Sequence, residues 1–124
     1  MSELKYTEDH EWIRHEADGT VTVGITTHAQ EQLGDIVFVQ LPEVGRRIKA
    51  GEEAVVIESV KAAADIKMPL GGEIVAVNTL LNDAPETVNH DPMSQGWFLR
   101  VRPDAKAEIA GLLDRAAYDK LIGK

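Results

Sequence analysis

Short apolar runs, each closed by glycine, proline or a small polar residue, follow one another along this chain and set out its elements. Thr20-Val21-Thr22-Val23-Gly24-Ile25 alternates polar and apolar after an Asp18-Gly19 turn. A strand there puts Val21, Val23 and Ile25 on one face, and Trp12-Ile13 supplies the partner strand of a hairpin. Thr26 to Gly34 reads as a short helix with a threonine N-cap, Gln30 three residues after Thr27 as in a capping box, and Gly34 as the stop. Ile36-Val37-Phe38-Val39-Gln40-Leu41 is β-branched and aromatic and ends at Pro42, which predicts a strand buried on both faces. Pro42 to Gly45 turns, Arg46 to Lys49 forms a solvated strand edge, and Ala50 to Glu53 turns again.

The next stretch is organised around one residue. Val55-Val56-Ile57-Glu58-Ser59-Val60-Lys61-Ala62-Ala63-Ala64-Asp65-Ile66 runs apolar, turns polar around a single lysine flanked by small residues, and resumes. That pattern is a strand, a tight turn and a returning strand over about 54–68, with Lys61 at the tip. A lysine there projects into solvent on a four-carbon stem, with Glu58 as its local charge partner.

Beyond the hairpin, Met68 to Gly72 turns and Glu73-Ile74-Val75-Ala76-Val77 forms a strand. Asn78 to Met93, with two prolines and three asparagines, reads as a loop over the surface, and Trp97 to Arg102 as the final strand. Ile109, Leu112, Leu113, Ala116, Ala117 and Leu121 recur at helical spacing. A helical tail over about 104–122, interrupted near Gly111 and capped again by Asp114, is expected to pack on the sheets. Six or seven short strands with minor helices make residues 1–124 a mainly β, antiparallel domain without an internal linker.

Composition permits this and narrows the function. A chain of 124 residues, 44% of them hydrophobic, can bury a core without disulfides or metals, and it contains no cysteine. A formal net charge of −8 argues against a nucleic-acid partner, whose phosphates require lysine and arginine. No apolar run reaches membrane-spanning length, and Met1-Ser2-Glu3-Leu4-Lys5 has neither signal-peptide nor transit-peptide character. A soluble, cytoplasmic, bacterial-type protein is the expectation.

The four histidines, His10, His15, His28 and His90, fall in no HExxH arrangement, so no metal site is expected. Serine-hydrolase, P-loop and dinucleotide signatures are absent as well. An intrinsic hydrolase built on His10-Glu11 remains as an alternative, which predicts turnover that survives Lys61→Arg.

Glu58-Ser59-Val60-Lys61-Ala62 resembles the lipoyl-attachment segment of the glycine cleavage system H protein family. The likeness extends in order along the chain. Tyr6-Thr7, His10-Glu11-Trp12, Val23-Gly24-Ile25-Thr26, Ala29-Gln30, Leu33 to Val39 and Leu41-Pro42 precede the lysine. Gly72-Glu73-Ile74, Val77-Asn78, Asn89, Asp91-Pro92 and Gly96-Trp97 follow it.

The resemblance implies a lipoyl/biotinyl-domain-like flattened β-barrel (barrel-sandwich hybrid), with short helices and a C-terminal helical segment. It implies lipoic acid in amide linkage to Lys61, and a non-catalytic, monomeric carrier. Such a carrier takes the aminomethyl group of glycine from the pyridoxal-phosphate-dependent glycine decarboxylase (P protein) to the aminomethyltransferase (T protein), then presents its dithiol to dihydrolipoyl dehydrogenase (L protein). The family matches also place Glu11 and Asp65, with Asp9 as a neighbour, in a cleft holding the loaded arm, and Glu58 where lipoylating enzymes recognise the hairpin. An H-like lipoyl donor or relay to other enzymes is the alternative role. A biotin carrier fits less well, because Val60 and Ala62 stand where methionines would flank the lysine. Ala64, Lys67-Met68 and Met93-Ser94 depart from the usual family pattern.

Overall fold

The turn at Asp18-Gly19 folds β2 (Glu11–His15) back on β3 (Val21–Ile25), pairing Trp12 with Gly24 and Ile13 with Val23. The computed structural model describes residues 4–8, 10–68, 70–103 and 113–123. Four further strands extend this hairpin: β1 (Leu4–Tyr6), β5 (Arg47–Ile48), β8 (Gly72–Val77) and β9 (Leu99–Pro103). They form a six-stranded sheet in the order β1-β2-β3-β9-β8-β5. β4 (Ile36–Gln40), β6 (Glu53–Ser59) and β7 (Ala63–Lys67) form a second sheet in the order β4-β6-β7, and all pairings are antiparallel.

One apolar cluster lies between the two sheets. Ile13, Val21, Val23, Ile25, Ile74 and Val101 of the larger sheet meet Ile36, Val39, Val55 and Ile57 of the smaller one. The result is the flattened barrel-sandwich, with the two sheets not closed into one. A second cluster, Tyr6, Trp12 and Tyr118, sits on the other face of β1 and β2. The described residues hold nine strands rather than six or seven. β1 is an addition too short to show a period of its own, and the two-residue β5 is the edge strand expected over Arg46 to Lys49, with Ile48 buried rather than solvated.

β3 departs from simple alternation, because all five of its residues are buried. Val21, Val23 and Ile25 face the sheet interior as expected, while Gly24 leaves room for Trp12: a Cβ at Gly24 would lie 2.6–2.7 Å from the indole. Thr22, fully buried, donates its hydroxyl to Glu16 at 2.7 Å and accepts from Arg100 Nε at 3.2 Å.

Arg14 Nε donates to the same Glu16 oxygen at 2.8 Å. The bonds from Arg14 and then Thr22 hold the Glu16 carboxyl below the usual carboxylate range. Its folded pKa is thus depressed, so this contribution is present above the unfolded value and lost as pH falls through the folded one. Acid unfolding of Glu16→Gln should therefore be less steep than that of wild type between about pH 5 and 2. Superimposable stability curves from denaturant melts across that range would rule the contribution out.

The expectation that β4 is buried on both faces is overturned. Val37 and Phe38 are 54% and 47% exposed. The three-stranded sheet buries one face only, and β4 is its edge. The register shift between Ile36 and Phe38 inserts an extra residue, so both side chains reach solvent while Ile36 and Val39 remain in the core.

α1 (Thr27–Leu33) is the expected short helix, but its cap is one residue earlier than a capping box requires. Thr26 Oγ1 accepts from Ala29 N, so the third helical position is Ala29 and Gln30 has no reciprocal role. Gly34 ends the helix with φ 80°, a conformation glycine adopts without penalty.

Residues 78–93 are not the plain surface loop that was expected. They contain α2 (Leu80–Asp83) and α3 (Thr87–His90), whose Leu81 and Val88 are fully buried in the main core. These two anchors sit among turn-forming residues, which hid them. The expected helical tail falls partly outside the described residues. Within them, Asp114 caps α4 (Arg115–Leu121) by accepting from Ala117 N at 2.8 Å, and Tyr118 is its buried residue.

Candidate functional site

The hairpin tip is built by Ser59. Its hydroxyl oxygen accepts from Lys61 N at 3.2 Å and Ala62 N at 3.1 Å and donates to the Ala62 carbonyl at 3.0 Å. Val60 N donates to Asp35 O at 3.0 Å, which ties the tip to the start of β4. Lys61 is exposed there, and its stem runs over Gly34 at the end of α1. A Cβ at Gly34 would lie 3.3 Å from Lys61 Cε and 3.8 Å from Nζ. The missing side chain thus serves twice, as helix stop and as bed for the lysine.

Asn89 holds that bed in place. Its amide donates to Gly34 O and accepts from Ile36 N, each at 2.8 Å. Glu58 points outward from β6, in a row with Phe38 and Ala63. Among the described residues no ion pair joins it to Lys61, so the expected local charge partner lies nearby in sequence only.

A cleft of about 380 Å³ opens between α1 and the free edge of β7. Ala29, Gln32 and Leu33 form one wall and Ala64, Asp65, Ile66 and Lys67 the other, with His10, Glu11 and Ile25 between them. Glu11 is 2% exposed, and its Oε1 accepts from the Thr7 hydroxyl at 3.3 Å. Asp65 is exposed on β7. The structure thus brings Glu11 and Asp65 into one cleft, one carboxylate buried and the other on the rim, whereas Asp9 lies outside the described residues.

His10 takes a positive φ of 67°, uncommon for a side chain of its size, and turns Glu11 into the cleft. Its Nδ1 lies 2.8 Å from the Tyr118 hydroxyl and its ring stands 4.7 Å from that of His28. Of the residues that depart from the family pattern, Ala64 and Lys67 line the cleft and Met68 is core. Met93 packs beside the Tyr6-Trp12-Tyr118 cluster, and Ser94 lies in the adjacent turn. Ala29 and Leu33 stand out in the sequence only through the family likeness and the helix end at Leu33-Gly34, and Gln32 and Tyr118 carry no signal there that points to the cleft.

Among the described residues no group of three or more His, Cys, Asp or Glu side chains could hold a metal ion, and no helix is long and apolar enough to cross a membrane. The arrangement offers the solvent-facing Lys61 amine near a cleft whose apolar residues are joined by Gln32, the Lys67 ammonium and two carboxylates.

The glycine cleavage H-protein family model matches residues 4–124. A glycine cleavage system H protein of Teredinibacter turnerae is 60% identical over 121 residues, covering 98% of this chain and 93% of its own. One from Klebsiella pneumoniae is 59% identical, covering 98% and 94%. The crystal structure of a glycine cleavage system H protein from Mycobacterium marinum superposes with a TM-score of 0.89 at 45% identity, covering 98% of both chains. Matched over this length in sequence and fold, the chain belongs to the glycine cleavage H-protein family.

Proposed function

We propose that this chain is the lipoyl carrier of a glycine cleavage system, with lipoic acid joined to Lys61 and the cleft beside it as the resting place of the loaded arm. The observation that carries this reading is the exposed Lys61 stem lying on Gly34, at the end of the helix whose Leu33 lines a cleft containing Glu11 and Asp65. The cleft fits such an arm, with Ile25, Ala29, Leu33, Ala64 and Ile66 for its hydrocarbon and two carboxylates for a cationic end. When bound, the lipoyl group supplies the dithiolane sulfur that accepts a one-carbon unit and is later reoxidised.

Deprotonated Lys61 Nζ attacks the acyl carbon of an activated lipoyl donor, whose leaving group departs with the bonding electrons while the nitrogen releases one proton to solvent. A neutral amide replaces the ammonium. Glu58, outward-facing and three residues before the lysine, is in reach of an enzyme docked on the tip and serves its recognition. The partners served are glycine decarboxylase, the aminomethyltransferase and dihydrolipoyl dehydrogenase, and the chain itself contributes no catalytic residue.

Glu11 and Asp65 act by holding a proton. Nearby negative charge favours the ammonium form of an amine seated between them, and a protonated nitrogen has no lone pair with which to break an adjacent C–S bond. Glu11→Gln and Asp65→Asn should accept lipoate as wild type does, yet release ammonia and formaldehyde from the loaded arm about tenfold faster, the change expected for losing roughly 1.4 kcal/mol of ion pairing. Release rates equal to wild type would remove this role.

The attachment itself is tested by intact mass and peptide mapping after incubation with a lipoylating enzyme. One lipoyl group on the peptide containing Lys61 is the expected result, and an unmodified Lys61 would overturn the reading.

A further inference from the structure

Tyr118 reaches from the C-terminal helix toward the cleft without lining it. Its ring, 3% exposed, stacks on Tyr6 with centroids 4.7 Å apart. Its hydroxyl lies 2.8 Å from His10 Nδ1 and 2.7 Å from Thr26 Oγ1. Both partners frame the cleft. His10 lines it and precedes Glu11, while Thr26 follows Ile25 and caps α1, which supplies one wall. Thr26 N also donates to His10 O at 2.9 Å, so the three residues close a circuit.

The circuit bears on a backbone that needs holding. His10 has the left-handed φ that side chains other than glycine rarely adopt, and its peptide is bonded on both sides, to Thr7 O at 3.1 Å and from Thr26 N. Burial pushes the Tyr118 phenol up, so the hydroxyl keeps its proton through neutral pH and can donate and accept at once. It serves His10 in either charge state: a neutral ring accepts from Tyr118, and a protonated ring donates to it while Tyr118 donates to Thr26.

We propose that Tyr118 is a positioning residue for the arm cleft, its hydroxyl clamping the His10-Glu11 corner against the first turn of α1. The C-terminal helix thereby sets how firmly Glu11 faces a group seated in the cleft. This rests on the arm-holding reading given above.

Tyr118→Phe keeps the stack on Tyr6 and removes both hydroxyl bonds, while Thr26→Ser keeps the hydroxyl and serves as the conservative control. In amide hydrogen exchange on the full, unmodified chain, Tyr118→Phe should speed exchange at Glu11, Thr26 and Ala29 about fivefold to tenfold, with Val23 and Ile57 unchanged. On the chain with a loaded arm it should speed ammonia release by a similar factor, and Thr26→Ser should match wild type in both measurements. Unchanged exchange, or a uniform rise through both sheets, would reduce Tyr118 to ordinary packing and overturn the proposal. So would a local rise in exchange with wild-type ammonia release. If Glu11→Gln itself releases ammonia at the wild-type rate, the arm-holding reading fails instead, and exchange on the unmodified chain keeps the two failures apart.

Discussion

Lys61→Arg will gain no mass from a lipoylating enzyme, and glycine cleavage reconstituted with it will run no faster than without the chain. The guanidinium keeps the charge and much of the length of lysine, but it stays protonated at neutral pH and offers no free amine to an acyl donor. The fold should not notice the change. Lys61 is exposed, and substitutions at such positions stay within about 0.5 kcal/mol. Matching thermal melts together with lost acylation therefore separate the chemistry of the residue from any effect on the hairpin. Acylation of Lys61→Arg, or glycine cleavage supported by it, would show that the tether lies elsewhere, at Lys49 or Lys67 for instance, and a mapped peptide would say which.

The largest loss of stability should come from Trp12→Ala. Trp12 is fully buried, lies over Gly24 where no Cβ intervenes, and donates from Nε1 to Pro92 O at 2.8 Å. The substitution empties the centre of the Tyr6-Trp12-Tyr118 cluster, a loss of about 3–5 kcal/mol for a large aromatic side chain. It also leaves the Pro92 carbonyl without its donor, at about 1–3 kcal/mol more if water cannot reach it. For a domain of this size the first loss alone lowers the melting temperature by roughly 10–20 °C, and both together by roughly 15–30 °C. Trp12→Phe, which keeps most of the ring and loses the hydrogen bond, should fall between. A drop below about 5 °C for Trp12→Ala would mean that the cluster collapses around the gap.

What was legible in the sequence follows a physical divide. Thr26 and Gly34 bound a helix because caps act on backbone groups two to four residues away, and both residues carry that chemistry in themselves. The same holds for the Lys61 hairpin, where Ser59 bonds to groups two and three residues on. Leu81 and Val88 were missed because nothing near them announces burial; each is inside only because the main core lies beneath the loop. Val37 and Phe38 misled in the opposite sense, since apolar character says nothing about which face of an edge strand another layer will cover.

By itself, then, the chain's order of residues determined the strands, the turns, the acidic balance and a lone lysine at a hairpin apex, all properties settled within a few residues of one another. Its likeness to a known family, read from spaced motifs, pointed to Glu11 and Asp65 as a pair. Only the tertiary structure decided that Glu11 is buried and Asp65 open to solvent in the same cleft. The same packing laid the Lys61 stem on Gly34 and brought a tyrosine more than ninety residues away to bond with Thr26. The reason is that those contacts join segments far apart in sequence, and they exist only once two sheets have packed face to face and fixed where each loop must cross.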